Sequence, residues 1–301
     1  DYQISRCKDK TFTLVFHGGG EPLLAFDMMK RCYEYAKKIC NEKNIKLTIT
    51  CATNGTLVTE DIAKWIKKVK ITILLSFDGT PKIQNKQRPF ADGNPSYPSI
   101  KNTIKLFNKY KIKYHTHSTL TENSANKMDE MLKNLKSLGI KNCRFQNVMN
   151  WGRCSEKNSL YKNYEKEIQK TENLGKKYKI NIMSNTKKIN DRPTDIKCGG
   201  CGYEFVVTAH KNITSCLSVT NPTDPAHKVF CYGKINNDKI IINKKKLDYL
   251  RNRTVDRMSQ CKDCFAKYNC SGGCPAESIR NINQIFKQTE QECTIGKAET
   301  M

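Results

Sequence analysis

The chain has 301 residues, with 53 lysines and arginines against 29 aspartates and glutamates, which gives a formal net charge of +24. With 38% hydrophobic and 9% aromatic residues it can bury one or two ordinary cores, which excludes a fully disordered chain and a small disulfide-stapled scaffold. The longest apolar candidate, 71–77, is long enough for a buried strand and far too short for a membrane span. We therefore expect a soluble protein with no membrane partner.

The positive charge is spread along the chain rather than gathered in one stretch. The nearest approach to a basic cluster, 162–178, also contains Glu165, Glu167 and Glu172. Nucleic-acid binding favours clustered cations with interleaved aromatic residues, so a nucleic-acid partner is not expected. A positive field still attracts an acidic peptide or a phosphorylated partner.

The first half of the chain alternates short apolar strands with amphipathic helices. The pattern predicts five strands, at 11–16, 46–51, 71–77, 113–120 and 143–148. The first helix is marked by apolar residues at helical spacing, which are Met28, Met29, Cys32, Tyr33, Ala36 and Ile39. Such strands pair in parallel and place active-site groups on loops at their carboxyl ends. The unusual residues of this sequence stand there, in His17–Pro22, Thr53–Gly55 and Ser76–Gly79.

The second half changes character twice. We expect a barrel-like domain over 1–150, a polar, lysine-rich bridge with one helix over 151–197, and a small cysteine-rich domain over 198–301. In the last segment periodicity weakens while cysteine, glycine and proline increase. This composition predicts a fold held by metal sites more than by an apolar core.

The chain has 15 cysteines, and nine of them lie between Cys198 and Cys293. A CxxCxxxxxCxxxC motif spans 261–274, and eight cysteines suffice for two four-cysteine metal sites. The spacing alone fits two structural zinc sites as well as two iron-sulfur clusters. Disulfides are disfavoured because a long chain with CxxC pairs is typical of a reducing, cytoplasmic compartment.

Three features together resemble a radical S-adenosylmethionine enzyme with a carboxyl-terminal SPASM domain of the peptide maturase type. They are Gly19-Gly20-Glu21-Pro22 after one strand, Ser76-Phe77-Asp78-Gly79 after another, and the cysteine array. The resemblance covers nearly the whole chain and implies a partial (β/α)6 barrel that lacks its first strand, followed by a small iron-sulfur domain. One position departs from the SPASM pattern, because the glycine expected five residues before Cys216 is Lys211, with Asn212 beside it.

The resemblance implies two auxiliary 4Fe-4S clusters with interleaved ligands. A first cysteine set would hold one cluster, and its members are Cys198, Cys201, Cys216 and Cys274. A second cysteine set would hold the other, and its members are Cys261, Cys264, Cys270 and Cys293. Cys231 and the remaining cysteines lack metal-like spacing and are interpreted as structural.

The resemblance also implies which residues contact S-adenosylmethionine. They are Gly19, Gly20, Glu21 and Pro22, with Ser76, Asp78, Asn54 and Arg88 as further candidates. Alone, the GGEP loop also fits the less favoured interpretation of a turn that starts a helix, and Asn54-Gly55 fits a plain turn equally well. No catalytic base is identified, and the histidines at 17, 115 and 117 are interpreted as strand-end or barrel-lining residues.

In the family a third 4Fe-4S cluster, bound by a CxxxCxxC motif after the first barrel strand, generates the radical. These 301 residues contain no such motif. We expect that the sequence begins after that strand, so that only a longer parent protein holds the third cluster.

The resemblance implies a peptide or protein substrate and an external electron donor. Within the family we favour a maturase that installs thioether or carbon-carbon crosslinks in a ribosomally made peptide. The alternative is an anaerobic sulfatase-maturating enzyme, which carries an aspartate directly after the cysteine aligned with Cys216, where this chain has Leu217. A third alternative is a non-catalytic zinc-binding protein that contacts nucleic acid or an acidic peptide.

Overall fold

The computed structural model of the protein describes residues 1–7, 10–148, 164–183, 193–298 and 300. The chain divides into two compact units. The first unit comprises Asp1–Gln146 and Lys170–Met183, and the second comprises Asn147–Gln169 and Ser184–Met301. Within the described residues, every helix is too short or too polar to span a lipid bilayer.

The first unit contains a six-stranded sheet whose spatial order follows the chain order, with parallel pairing. Its strands are β1 Thr11–Phe16, β2 Lys46–Thr53, β3 Thr72–Ser76, β4 Tyr114–Leu120, β5 Asn142–Asn147 and β6 Asn181–Ile182. The helices that alternate with them are α1 Phe26–Glu42, α2 Glu60–Val69, α3 Pro81–Gln87, α4 Tyr97–Lys109, α5 Glu122–Ala125, α6 Met128–Ser137 and α7 Tyr164–Tyr178. The five predicted strands are present, each with bounds within two residues of the prediction.

The sixth strand was not predicted from the sequence. β6 has two residues and pairs with β5 in the register Asn142↔Asn181 and Cys143↔Ile182. A segment this short carries no alternation or β-branched run that periodicity can detect. It follows α7 and belongs to the first unit, so part of the predicted bridge completes the sheet.

The core of the first unit lies where β3 and the helix faces meet. Along this strand region Ile71, Ile73, Leu75 and Phe77 are at most 2% exposed. The residues between them are half-buried, so these four side chains share the more deeply buried face of the strand. The buried face of α1 is rotated from the prediction, because Cys40 is fully buried while Met28 is 52% exposed.

Hydroxyl caps start two of the helices that follow strand ends. The Thr59 side chain accepts a hydrogen bond from the Ile62 N–H at the start of α2, and Thr80 does the same for Ile83 at the start of α3. These caps satisfy amide groups that a helix leaves without partners, and they fix where the chain leaves the loops beyond β2 and β3.

The second unit contains an antiparallel four-stranded sheet in the order β10-β9-β8-β7. Its strands are β7 Val206–Val207, β8 Asn212–Thr214, β9 Cys231–Asn236 and β10 Lys239–Ile242. The helices are α8 His227–Phe230, α9 Lys244–Arg251, α10 Pro275–Ile282 and α11 Glu290–Ala298.

This unit also has an apolar core of its own, which was not predicted from the sequence. Ile213, Phe230, Leu250 and Ala276 are fully buried within it. The core residues come one or two at a time from short elements. The sequence therefore has no regular apolar spacing from which this core could be predicted.

Candidate functional site

The loop that follows β1 contains three consecutive glycines in conformations that L side chains rarely adopt. Gly18, Gly19 and Gly20 have φ angles of 79°, 71° and 144°. Glycine takes these angles without the steric cost of a Cβ atom, so a ligand can approach the backbone polar groups closely. A Cβ atom built on Gly20 would meet no atom within 4 Å, which shows that the loop borders open space.

The carboxylate of Glu21 ties this loop to the end of β2. Its Oε1 accepts hydrogen bonds from the Thr53 hydroxyl at 2.6 Å and the Leu23 N–H at 3.2 Å, and its Oε2 accepts from the Asn54 N–H at 2.8 Å. Glu21 also caps the 3₁₀ turn Pro22–Ala25, so the GGEP segment is a turn that starts a helix as well as an open loop.

Asn54 uses its side chain locally. Its Oδ1 accepts hydrogen bonds from the N–H and the hydroxyl of Thr56, at 2.9 and 2.8 Å. Gly55 follows with a φ angle of 76°. These contacts are those of an Asx turn. The side chain of Asn54 therefore fits the alternative interpretation, in which Asn54-Gly55 is an ordinary turn.

Asp78, beyond the end of β3, is fully buried and paired with Arg88. The Arg88 Nε donates to Asp78 Oδ2 at 2.8 Å, and the Thr119 N–H donates to Oδ1 at 2.8 Å. Arg88 also donates to the Thr119 hydroxyl at 2.9 Å. Two sequence-predicted residues therefore form one ion pair that ties the end of β3 to β4.

Gln84 completes this cluster and was missed as a site residue. It is fully buried, its Oε1 accepts from the Asp78 N–H at 2.9 Å, and its Nε2 donates to the Ser96 hydroxyl at 2.9 Å. Ser96 in turn donates to the backbone oxygen of Arg88 at 2.6 Å. The sequence carried one signal for this role, a polar residue next to Ile83 on the buried face of α3.

Ser76 ends β3 and lies opposite His117 in the register with β4. Burial, together with the charges of Arg144 and Arg88, lowers the pKa of His117 to about 4, so the imidazole is neutral at neutral pH. Its Nε2 is buried and has no hydrogen-bond partner in the described part of the chain. Burial also lowers the pKa of His17, which follows β1.

The three loops lie at one edge of the sheet. Glu21 contacts Asn54 directly, β2 pairs with β3, and Asp78 follows β3. Two strand spacings separate β1 from β3, which is roughly 10 Å. The GGEP loop and the Asp78 loop can therefore contact one small ligand.

The second cysteine set lines one cavity of about 360 Å³ in the second unit. Burial raises the pKa of Cys261 to about 11, and the charges of Cys293, Cys270 and Cys264 add to the rise. Gly296 lies against this set, because a Cβ atom there would come within 2.3 Å of the Cys270 Sγ. The four thiols thus face one another across a space large enough for a cluster.

The first cysteine set gathers elsewhere in the same unit. Burial raises the pKa of Cys274 to about 12, and the charges of Cys198 and Cys216 contribute to the rise. Desolvation raises the pKa of Cys198 to about 11, with contributions from Cys201 and Cys216. Cys201 is fully buried. The Cys216 Sγ lies 3.2 Å from the Ser218 hydroxyl.

A left-handed turn separates the two sets. Cys270 and Cys274 are four residues apart in the chain but interact electrostatically with different sets. The three residues between them, Ser271, Gly272 and Gly273, have φ angles of 53°, 72° and 65°. Because of this turn, the Cys270 thiol lies with the second set and the Cys274 thiol with the first.

The donor chemistry of both sets fits iron-sulfur clusters. All cysteines among the described residues are free thiols. Among those residues, no three His, Cys, Asp or Glu side chains are arranged to hold a single metal ion. A four-iron cluster puts each cysteine sulfur on a different iron, so its ligands lie further apart than those of one ion.

Lys211, the departure from the SPASM pattern, has a left-handed backbone conformation that glycine adopts more readily. Its φ angle is 58°, its N–H donates to the Thr208 carbonyl at 3.0 Å, and its carbonyl accepts from the Ile235 N–H at 2.8 Å. The left-handed residue of the turn before β8 is therefore Lys211 rather than its neighbour Asn212.

Four of the other cysteines have a described place in the fold. Cys40, Cys51 and Cys143 are at most 1% exposed in the first unit, and Cys231 begins β9. Cys154 lies outside the described residues.

Comparisons with known proteins agree with this architecture. Residues 2–135 match the Radical SAM superfamily. Over 297 residues the chain is 24% identical to a cysteine-type anaerobic sulfatase-maturating enzyme of Clostridium novyi (strain NT), with 88% of this chain and 74% of the relative covered.

Solved structures share the fold across most of the chain. Native anSMEcpe with bound AdoMet and Kp18Cys peptide superposes with a TM-score of 0.77 at 21% identity, with 98% of this chain and 84% of that chain covered. Streptococcus suis SuiB bound to the precursor peptide SuiA gives a TM-score of 0.60 at 16% identity, with 93% and 64% covered.

The amino-terminal part of the chain is therefore similar to a Radical SAM superfamily domain. The predicted α/β fold with a partial (β/α)6 barrel is confirmed by the six-stranded parallel sheet and by the similar structures.

Proposed function

We propose that the chain is the greater part of a radical S-adenosylmethionine enzyme of the SPASM type, which modifies a peptide or protein substrate. The observation that carries the proposal is that Cys270 lines the cavity of the second set with Cys261, Cys264 and Cys293, while Cys274 lies with the first set. An ordinary single-segment metal site would use the four cysteines of one motif together. The superfamily match over residues 2–135 supports the same conclusion independently.

In this proposal the carboxyl edge of the sheet binds S-adenosylmethionine, which supplies a 5′-deoxyadenosyl radical on reduction. Gly19 and Gly20 offer backbone polar groups at close range, while Glu21 and Pro22 fix the path of that loop. Ser76 and the Asp78 loop face the nucleoside, as in the family. AdoMet bound to anSMEcpe, a structure of the same fold, is consistent with this assignment.

Asn54 and Arg88 act in this proposal by holding the site rather than by contacting the ligand with their side chains. The Asn54 Oδ1 is engaged by Thr56, and its N–H positions Glu21. The Arg88 guanidinium is engaged by Asp78 and Thr119. Both residues shape loops whose remaining polar groups are open to a ligand.

The first and second cysteine sets would each hold one 4Fe-4S cluster, which supplies one-electron chemistry when bound. The chain contributes four thiolates to each site, with a cavity of about 360 Å³ at the second and the fully buried Cys201 at the first. An external electron donor is part of the proposal. A third cluster is expected only in a longer parent, because these residues contain no CxxxCxxC motif.

For the reaction we favour thioether or carbon-carbon crosslinking of a ribosomally made peptide. Leu217 stands where the sulfatase-maturating branch carries an aspartate, and a leucine cannot accept a proton. The peptide complexes of anSMEcpe and SuiB support a peptide substrate for a protein of this fold.

Sulfatase maturation is the second candidate, and one observation favours it. The similarity to the Clostridium novyi enzyme extends over 88% of this chain. In that reaction a Cys or Ser of the substrate is oxidised to formylglycine, so this chain would need a base at another position than Leu217.

Anaerobic reconstitution with iron and sulfide tests the proposal. We expect a brown protein with about eight irons, in two four-cysteine sites. A colourless protein that retains zinc would instead support the zinc-binding alternative. Mass spectrometry of candidate peptides incubated with the parent enzyme then separates a crosslink, which removes two hydrogens between residues, from formylglycine at a single Cys or Ser.

A further inference from the structure

Arg253 is the largest fully buried side chain in the described part of the chain. It lies just after α9, in the second unit. Its Nε donates to the Ile285 carbonyl at 3.1 Å, and its two terminal nitrogens donate to the carbonyls of Ser271, at 3.3 Å, and Gly272. Within the described residues, no carboxylate lies within ion-pairing distance of it.

Two of these three carbonyls belong to the turn between Cys270 and Cys274. All three residues of the turn are left-handed, which is a strained conformation for Ser271. The Ser271 hydroxyl is held in addition by the Thr194 carbonyl at 2.8 Å. Arg253 therefore fixes the segment that directs one thiol to each cysteine set.

The guanidinium of Arg253 lies beside a ligand of each cysteine set. Its two terminal nitrogens donate to the carbonyls of Ser271 and Gly272, in the turn that joins Cys270 of the second set to Cys274 of the first. A positive charge held at this turn favours negative charge on the sulfurs of both sites.

Carbonyl oxygens alone leave a buried guanidinium without a counter-charge. Burial of an ion without an opposite charge costs several kcal/mol, so a buried Arg needs anions nearby. Four thiolates bound to one iron-sulfur core form an anionic site, and local charge is one of the factors that set the reduction potential of such a cluster.

We propose that Arg253 is a positioning residue shared by the two auxiliary sites, which holds the crossover turn between Cys270 and Cys274 and supplies the buried positive charge that raises the reduction potential of both clusters. This inference rests on the proposed function.

Four proteins test it: the wild type, Arg253→Gln, Arg253→Lys and the control Arg257→Gln, which removes an exposed arginine four residues away. Each is reconstituted anaerobically, its iron is counted, and both clusters are followed by redox titration with electron paramagnetic resonance. Arg253→Gln removes the charge but keeps a hydrogen-bond donor. Arg253→Lys keeps the charge but loses the planar fork.

We expect Arg253→Gln to shift the reduction equilibrium of both clusters by about tenfold towards the oxidised form, which is about 59 mV for a one-electron couple. Arg253→Lys and Arg257→Gln should stay within about threefold of the wild type. If Arg253→Gln loses its iron, Arg253→Lys decides the question, because a retained charge should preserve both potentials.

Unchanged potentials in Arg253→Gln, or a shift in one cluster alone, would overturn the shared role. If Arg253→Lys also loses its iron, only the planar geometry of the guanidinium matters, and the proposed role of its charge is overturned. Failure of the proposed function looks different, since the wild type itself would then hold zinc or no iron.

Discussion

The Oε2 of Glu21 and the backbone N–H of Asn54 lie 2.8 Å apart, and this bond joins the glycine loop after β1 to the turn after β2. Adjacent parallel strands put their carboxyl ends side by side, so a single carboxylate can span two loops. The same carboxylate accepts from Thr53 and Leu23, which leaves the loop with one fixed path.

The Glu21→Gln variant tests whether the fixed conformation of the glycine loop is needed for ligand binding. The amide presents a donor to groups that are themselves donors, so the free energy of unfolding should fall by about 1–3 kcal/mol. Binding of S-adenosylmethionine, measured by calorimetry, should weaken as well. Glu34→Gln, an exposed change on α1, is the matched control. A stability loss with unaltered binding would mean that Glu21 is a helix cap and nothing more.

Asp78→Asn should destabilise the first unit by about 2 kcal/mol, because it removes one charge of an ion pair that is buried on the Asp78 side. The loss should be smaller than for a fully buried pair, since 32% of the Arg88 side chain is exposed. Urea unfolding measures it. Asp61→Asn, with 95% side-chain exposure, should change stability by less than about 0.5 kcal/mol.

Cysteine replacements should reveal the two interleaved sites through iron content. Cys274→Ala and Cys270→Ala should each lower the iron from about eight to about four per chain, because each removes a ligand from a different set. The double variant of Cys216 and Cys274 should still hold about four irons, and the double variant of Cys270 and Cys274 almost none. Cys40→Ala should hold about eight. Equal iron in the two double variants would contradict the assignment of Cys274.

Lys211→Gly should stabilise the second unit by about 1 kcal/mol. The left-handed conformation costs an L residue about 1–2 kcal/mol, of which glycine recovers most after its larger loss of entropy on folding. Lys234→Gly, in β9, should instead cost about 0.5–1 kcal/mol. Thermal unfolding of the reconstituted protein distinguishes the two, and a destabilised Lys211→Gly would contradict the backbone geometry of this turn.

His117 should make the first unit sensitive to acid. Its pKa is about 4 in the folded chain against an ordinary value of 6.5, owing to burial and then to Arg144 and Arg88, with Gln146 and Asp78 opposing. The unfolded state therefore binds the proton more readily, and stability should fall as the pH drops from 6.5 towards 4, by up to about 3 kcal/mol.

The pH dependence of the unfolding midpoint measures this effect. His117→Gln should flatten the profile between pH 6.5 and 4, while His210→Gln, an exposed change in the second unit, should leave it unaltered. A profile that His117→Gln does not change would show that the histidine has the same pKa in the folded and the unfolded chain.

Much of the first unit was determined by local sequence alone. The runs at 11–16, 46–51, 71–77, 113–120 and 143–148 became strands because their apolar and β-branched residues match the strand period and alternate with helical spacing. The loops that carry Glu21 and Asp78 followed from that alternation. The local sequence pattern did not predict β6. Its two residues form a strand only because they pair with β5.

The contacts of the site depended on tertiary structure. Glycine spacing marked the loop at Gly19 and Gly20, but only packing joined Glu21 to Asn54 and Asp78 to Arg88, Gln84 and Thr119, across 6 to 41 residues of chain. Cysteine spacing likewise predicted metal chemistry without deciding its geometry. Cys270 and Cys274 belong to different sets, and the buried charge of Arg253 lies against the turn between them. Both features arise because side chains distant in sequence pack into one interior, where a buried ion needs partners of its own.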